Sequence, residues 1–195
     1  MKEGVRYVVK SPTVLALMLL VGTISLFGMS FATLMPAWAV RILGGDATTN
    51  GLLQSARGLG ALLSAFAIAS LGRFTFKGKL LTVSTFVLPV MLLVFSQTRW
   101  LPLSLLALVG VGMSHIPILN IGNALVQTQV PDALRGRVMS VWQLVFMGMM
   151  PLGGMWAGAV AEHTSEPVTI VVGAVIVLSA AVFIYVFAPR VRAAQ

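Results

Sequence analysis

The chain has 195 residues, 58% of them hydrophobic and only 9% charged, which excludes an ordinary soluble domain with its roughly 25% charged residues. The net charge is +8, but the cations sit in short segments beside long apolar runs, so the implied partner is anionic lipid and not nucleic acid. The absence of cysteine excludes a disulfide framework, a thiol nucleophile and a thiolate metal site.

In chain order, residues 1–11 mix Lys2, Arg6 and Lys10 with Val5, Tyr7 and Val8. That mixture predicts a short interfacial helix. The first apolar run, Pro12–Met35, is too long for a signal-peptide core and lacks a small-x-small cleavage site, so it reads as a true span. Ala37–Asp46 is expected to be the longest outer loop, ending in Asp46 as an N-cap. Five more runs follow: Ala47–Leu71, Leu80–Gln97, Leu101–Gln127, Val138–Ala161 and Pro167–Phe187. Residues 188–195 form a tail. Each run is near or above the ~18–20 residues that cross ~30 Å of hydrocarbon. All are too long and uniform for barrel strands, and helices are the remaining way to satisfy the backbone in lipid. The expected fold is all-α: a membrane bundle over 12–187, with six helices read as a 3+3 inverted repeat.

The cations orient this bundle. Lys2, Arg6, Lys10, Arg73, Lys77, Lys79, Arg135, Arg137, Arg190 and Arg192 fall on one side, and Arg41 and Arg99 on the other. The positive-inside rule then places both termini in the cytoplasm, in a plasma membrane, most simply a bacterial inner membrane. The thirteenth cation, Arg57, lies inside a span, ~15 Å from Ala47. A guanidinium there costs ~2.5–3.5 kcal/mol on insertion scales. Gln54 and Ser64 share its face, with Gly60 and Ala61 between them. Two roles stand open for Arg57: a structural hydrogen bond to a helix carbonyl, or a cavity cation that meets a substrate anion or an acid on another bundle. Ala56, Gly60 and Ser64 form a small-residue ridge at four-residue spacing.

His115 sits mid-span beside Pro117 and is the one group there that titrates near neutrality. It is either a neutral hydrogen-bonding residue or a proton carrier. Asn120, Asn123 and Gln127 lie on one face of the same span and either line a pathway or join helices. Asp132 is a second expected N-cap, placed after Pro131 stops the fourth helix. Arg135 and Arg137, around Gly136, then oppose the dipole of the fifth helix by ~0.3–1 kcal/mol each. Lipid phosphate could offset this. So could a tie to the carbonyl end of a neighbouring helix, with the second helix near Leu71-Gly72 as an example. In the fifth span Gly148, Pro151, Gly153, Gly154 and Gly158 crowd together. Gly154 and Gly158 make a G-x-x-x-G pair suited to close packing, and Pro151 is a kink or flex point. His163, Glu162 and Glu166 read as a solvated loop and not as a metal site.

Val130-Pro131, Arg135-Gly136-Arg137-Val138 and Ser140 resemble the V-P-x-x-x-R-G-R-V-x-S loop between helices ten and eleven of major facilitator superfamily transporters. The likeness is to the enterobactin-exporter-like, or transmembrane secretion effector, group. Pro151-Leu152-Gly153 and Gly158 resemble the P-L-G-x-x-x-x-G segment that follows, and Glu3-Gly4, Arg6-Tyr7 resemble the stretch before helix seven. The resemblance covers the whole chain and implies the carboxy-terminal half of a twelve-helix fold. The superfamily's best-known loop, between helices two and three, has no place here. Its weak counterpart is Leu71-Gly72-Arg73-Phe74, with no acid in the loop.

No P-loop is present, so direct ATP coupling is not expected. No nucleophile-and-base or paired-carboxylate set lies in the spans, so neither enzyme chemistry nor a cofactor is called for. The resemblance implies half of a secondary transporter that exports amphipathic or siderophore-like small molecules by alternating access. Its expected partners are the bilayer, a small-molecule substrate, and either the missing amino-terminal six-helix half or a second copy. The alternative is a truncated or assembly-only six-helix protein without transport activity.

Overall fold

The structure is a computed structural model that describes residues 2–70 and 77–187. Helix α1 is Lys2–Lys10 and α2 is Pro12–Thr23. A π-helical segment, Ile24–Gly28, leads through a break at Met29-Ser30 into α3, Phe31–Ala37. A second π segment, Trp38–Ile42, completes the first span. Then come α4 (Ala47–Ser70), α5 (Lys77–Gln97), α6 (Leu101–Gln129), α7 (Asp132–His163) and α8 (Glu166–Phe187). Six of these stretches are long and apolar enough to cross a membrane. No strand occurs among the described residues.

Several sequence expectations need correction. The first span runs to Ile42, not Met35. The expected loop from Ala37 to Asp46 therefore shrinks to the few residues after Ile42, and Arg41 belongs to the last turn of the span. Within that span the helix α3 continues past Pro36. The chain reverses at Gly44, whose φ of 64° is a conformation that side-chain-bearing residues rarely adopt. Asp46 does cap α4: its Oδ1 accepts from the Thr49 backbone N–H at 3.0 Å. That bond holds the Asp46 carboxyl below the usual carboxylate range. Asp132, expected to cap α7, is its first helical residue, and Pro131 occupies the cap position with φ −55° and ψ 144°. A proline there gives up a backbone N–H that would be unpaired anyway. His163 ends α7 and does not stand in a loop. The Leu71-Gly72 helix end, the Leu71–Phe74 counterpart and the tail from 188 lie outside the described residues.

The first span is central. Of its most apolar window 67% is buried, against 17% for α4 and 11% for α7. It packs on α7 and α8, while α6 packs on α4 and α5, and α5 also meets α8. Exchanging spans one, two and three with four, five and six maps these main pairings onto themselves. That is the pairing an inverted 3+3 repeat requires.

Small residues set the closest approaches. At Gly60 of α4 an added Cβ would overlap the Val109 carbonyl of α6, and at Gly112 of α6 one would overlap the Arg57 carbonyl of α4. These two backbones therefore run in direct contact, the arrangement that glycine allows between membrane helices. On the other side, Gly153 of α7 lies against the backbone of Leu26, and Gly173 of α8 against the Phe27 carbonyl, where a Cβ would come within 2.6 Å. The first π segment is thus held between two glycine notches. The Gly154/Gly158 pair makes no backbone-to-backbone contact among the described residues. Gly154 faces the Thr33 side chain, and Gly158 is exposed with open space around it. One residue of register separates the glycine that packs from the pair the spacing suggested.

Candidate functional site

Helix α4 carries the polar face that the sequence marked, and one more member of it. Asn50, Gln54, Arg57, Ala61 and Ser64 recur at three- and four-residue steps, which keeps them on one side. Asn50, Gln54, Arg57 and Ala61 are half-buried, and Ser64 is buried. The contact at Gly112 sets Arg57 level with the middle of α6. His115, one turn further along α6, is also half-buried. Asn50 Oδ1, Gln54 Oε1 and His115 Nε2 are buried and lack a hydrogen-bond partner among the described residues. Such atoms cost ~1–3 kcal/mol each when nothing meets them. Two acceptors and a guanidinium thus share one face of α4, and an imidazole nitrogen lies on α6 one turn past the level of Arg57. Sequence reasoning missed Asn50, although its spacing of four from Gln54 and seven from Arg57 was a usable signal.

Arg57 has no ion pair among the described residues. Its Cζ stands over the Phe31 ring at 6.0 Å. A cation–π contact is worth about 0.5–2 kcal/mol, less than the ~2.5–3.5 kcal/mol cost of insertion. Phe31 meets Phe95 edge-on at 6.2 Å, Phe95 stacks on Trp38 at 4.6 Å, and Arg99 lies over Trp38 at 5.7 Å. An aromatic chain thus links mid-span Arg57 to Arg99 in the loop before α6. Its rings come from the first span and α5, far apart in sequence, so periodicity gave no hint of it. Near that same end, Arg41 pairs with Glu166 at 3.0 Å.

Ser64 is buried beside Ser84, Ser114 and Pro117, along a pocket of about 300 Å³ between α4, α5 and α6. The Ser114 hydroxyl donates to the Gly110 carbonyl. Asn120 is exposed, and Asn123 accepts from the Gln127 amide at 2.5 Å. This places the Asn123–Gln127 pair along α6, apart from the Arg57 face. Gly148 and Pro151 lie within one continuous helix, and Pro151 is exposed. The second expected cluster is drawn together more tightly. Arg135 donates to Asp132 at 2.5 Å and to the Gln127 carbonyl at 3.3 Å. That carbonyl belongs to the end of α6. Arg137 pairs with Glu3 of α1, Gly4 lies against the Arg137 carbonyl, and the Tyr7 hydroxyl donates to the Gln129 carbonyl at 2.7 Å. Gly136 has open space around it.

Six apolar spans paired in this way define an integral membrane protein built as one helical bundle. A family model described as transmembrane secretion effector matches residues 1–195, and the chain belongs to that family, which is of the major facilitator type. Multidrug efflux pump Tap of Mycolicibacterium fortuitum is 30% identical over 192 residues, covering 97% of this chain and 46% of that protein. The chain spans about half the length of this curated relative. No solved structure gives a significant match.

Proposed function

We propose that this chain is one six-helix half of a secondary active exporter of amphipathic small molecules, siderophore-like compounds among them. The observation that carries this reading is the likeness to an efflux pump over 97% of the chain. In this reading both termini face the cytoplasm of a bacterial inner membrane. The bundle works by rocking against a second six-helix bundle, either an amino-terminal half or another copy. Arg57, with Gln54, Ser64 and His115 and with Asn120 and Asn123 further along α6, lines the substrate path. The unpaired guanidinium meets an anionic group, while Asn50 and Gln54 accept from substrate donors. The Asp132–Arg137 cluster ties helix ends in one conformation and releases them in another. Gly148, Pro151, Gly154 and Gly158 give α7 a surface and a bend for movement. Exposed Met147 and Met155 on that helix add adaptable apolar contact.

The test is substrate efflux by cells whose transporter contains this chain with Arg57→Gln. Expression is expected to stay normal and efflux to fall severalfold, with partial recovery in Arg57→Lys if a forked contact matters. Normal efflux by Arg57→Gln at normal expression would remove Arg57 from the path. Reporters fused after Gly44 and after Lys77 read the orientation, and the first should be active only outside.

A further inference from the structure

Helix α1 is divided lengthwise into three faces. At 100° per residue, Glu3, Gly4, Tyr7 and Val8 share one side. All four meet the protein: Glu3 pairs with Arg137, Gly4 abuts the Arg137 carbonyl, Tyr7 donates to Gln129, and Val8 is 5% exposed. Val5 and Val9 form a second side, 46% and 63% exposed. Lys2, Arg6 and Lys10 form the third, and all are exposed.

The charges on these faces are not equivalent. Arg135 and Arg137 are matched by Asp132 and Glu3. Lys2, Arg6 and Lys10 have no ion pair among the described residues. Glu3, the acid of this helix, is taken by Arg137 and does not cancel them. A cationic stripe beside an exposed valine stripe matches the boundary between headgroups and acyl chains. Soluble acidic partners would match the cations but would leave Val5 and Val9 in water.

We propose that α1 is a docking surface for anionic phospholipid. Its cations bind headgroup phosphate and its valines enter the acyl layer. Through Glu3, Gly4 and Tyr7, the docked helix holds the turn between α6 and α7 at the membrane surface. The lipid therefore sets the mobility of the segment that carries Arg135 and Arg137. This goes beyond the transport reading and stands or falls separately from it.

The absence of cysteine makes the test direct. The full chain with Val9→Cys, carrying a fluorophore there, is reconstituted with brominated phosphatidylglycerol or brominated phosphatidylcholine. Each cation near an anionic surface is worth about fivefold in association. The phosphatidylglycerol should therefore quench several-fold more strongly than the phosphatidylcholine. Replacing Lys2, Arg6 and Lys10 by Gln should bring the ratio to about one, and replacing both lysines by Arg should keep it. A nitroxide on Ala133→Cys should lose mobility when phosphatidylglycerol is added, but not in the triple Gln chain. Equal quenching by both lipids in the unaltered stripe would overturn the proposal, as would selectivity that survives the triple Gln change. An Ala133 label indifferent to lipid would overturn the link to the turn.

Discussion

Gly60→Ala tests the contact between α4 and α6 in its simplest form. The added methyl overlaps a backbone carbonyl, Val109 O, not the end of a flexible side chain. The helices must separate for it to fit. Overpacking of this kind costs ~1–3 kcal/mol, against which alanine regains about 0.5–1 kcal/mol of helix propensity. The clean quantity is a difference. Gly58 lies on the same helix with nothing within 4 Å of an added Cβ, so Gly58→Ala carries the propensity gain without the clash. Gly60→Ala should then be about 1–3 kcal/mol less stable than Gly58→Ala. Gly112→Ala should behave like Gly60→Ala, because its methyl meets the Arg57 carbonyl across the same interface. One separation relieves both clashes, so the double variant should cost less than the two singles together. Reversible unfolding in mixed micelles measures all four chains. If Gly60→Ala and Gly58→Ala unfold alike, or the double cost is additive, the two backbones are not in the contact described.

Three further outcomes follow from contacts at the helix ends. Arg41→Ala leaves Glu166, whose side chain is 9% exposed, without its ion-pair partner. The exposed arginine and the α8 amino terminus both limit the loss, so unfolding measurements should show about 1 kcal/mol. Asp46 has a lowered pKa because the Thr49 backbone N–H donates to it. Its contribution to α4 is therefore complete above the ordinary carboxylate pKa and fades as pH falls through the folded value. The protection of the Thr49 amide, measured by its exchange rate relative to an unstructured amide at the same pH, should fall over that acid range in the unaltered chain but show no such step in Asp46→Asn. Arg135→Lys keeps the charge but cannot reach both Asp132 and the Gln127 carbonyl with a planar fork. Efflux by the transporter that contains this chain, on the function proposed above, should drop at normal expression, and unchanged efflux would leave that pair of bonds without a role.

The six spans were legible in the sequence because each is a long run with almost no charge, and lipid forces such runs into helices. The Arg57 face was legible because helical spacing is a local property. The end of the first span was not. Pro36 and Arg41 look like punctuation, yet the helix absorbs the proline and continues through a π segment to Ile42. The Gly153 contact was missed because periodicity finds a face but not the residue of that face that a neighbour touches. The pairings of Glu3 with Arg137 and of Tyr7 with Gln129 join positions 134 and 122 residues apart, a separation at which local pattern carries no information.

The two π segments give the first span a property that the other five lack among the described residues. A π turn holds one residue more than the α ladder around it. Helix α3 has such a turn close below it and another directly above it. If the extra residue of the lower turn passed up the helix to join the upper one, the whole of α3 would revolve by about 100° and shift about 1.5 Å along its axis, while α2 beneath it kept its place. Phe31 would swing from beneath the guanidinium of Arg57, and Trp38, at the upper end, would leave the face of Phe95. Such a passage would turn α3 like a short axle with no net loss of backbone hydrogen bonds.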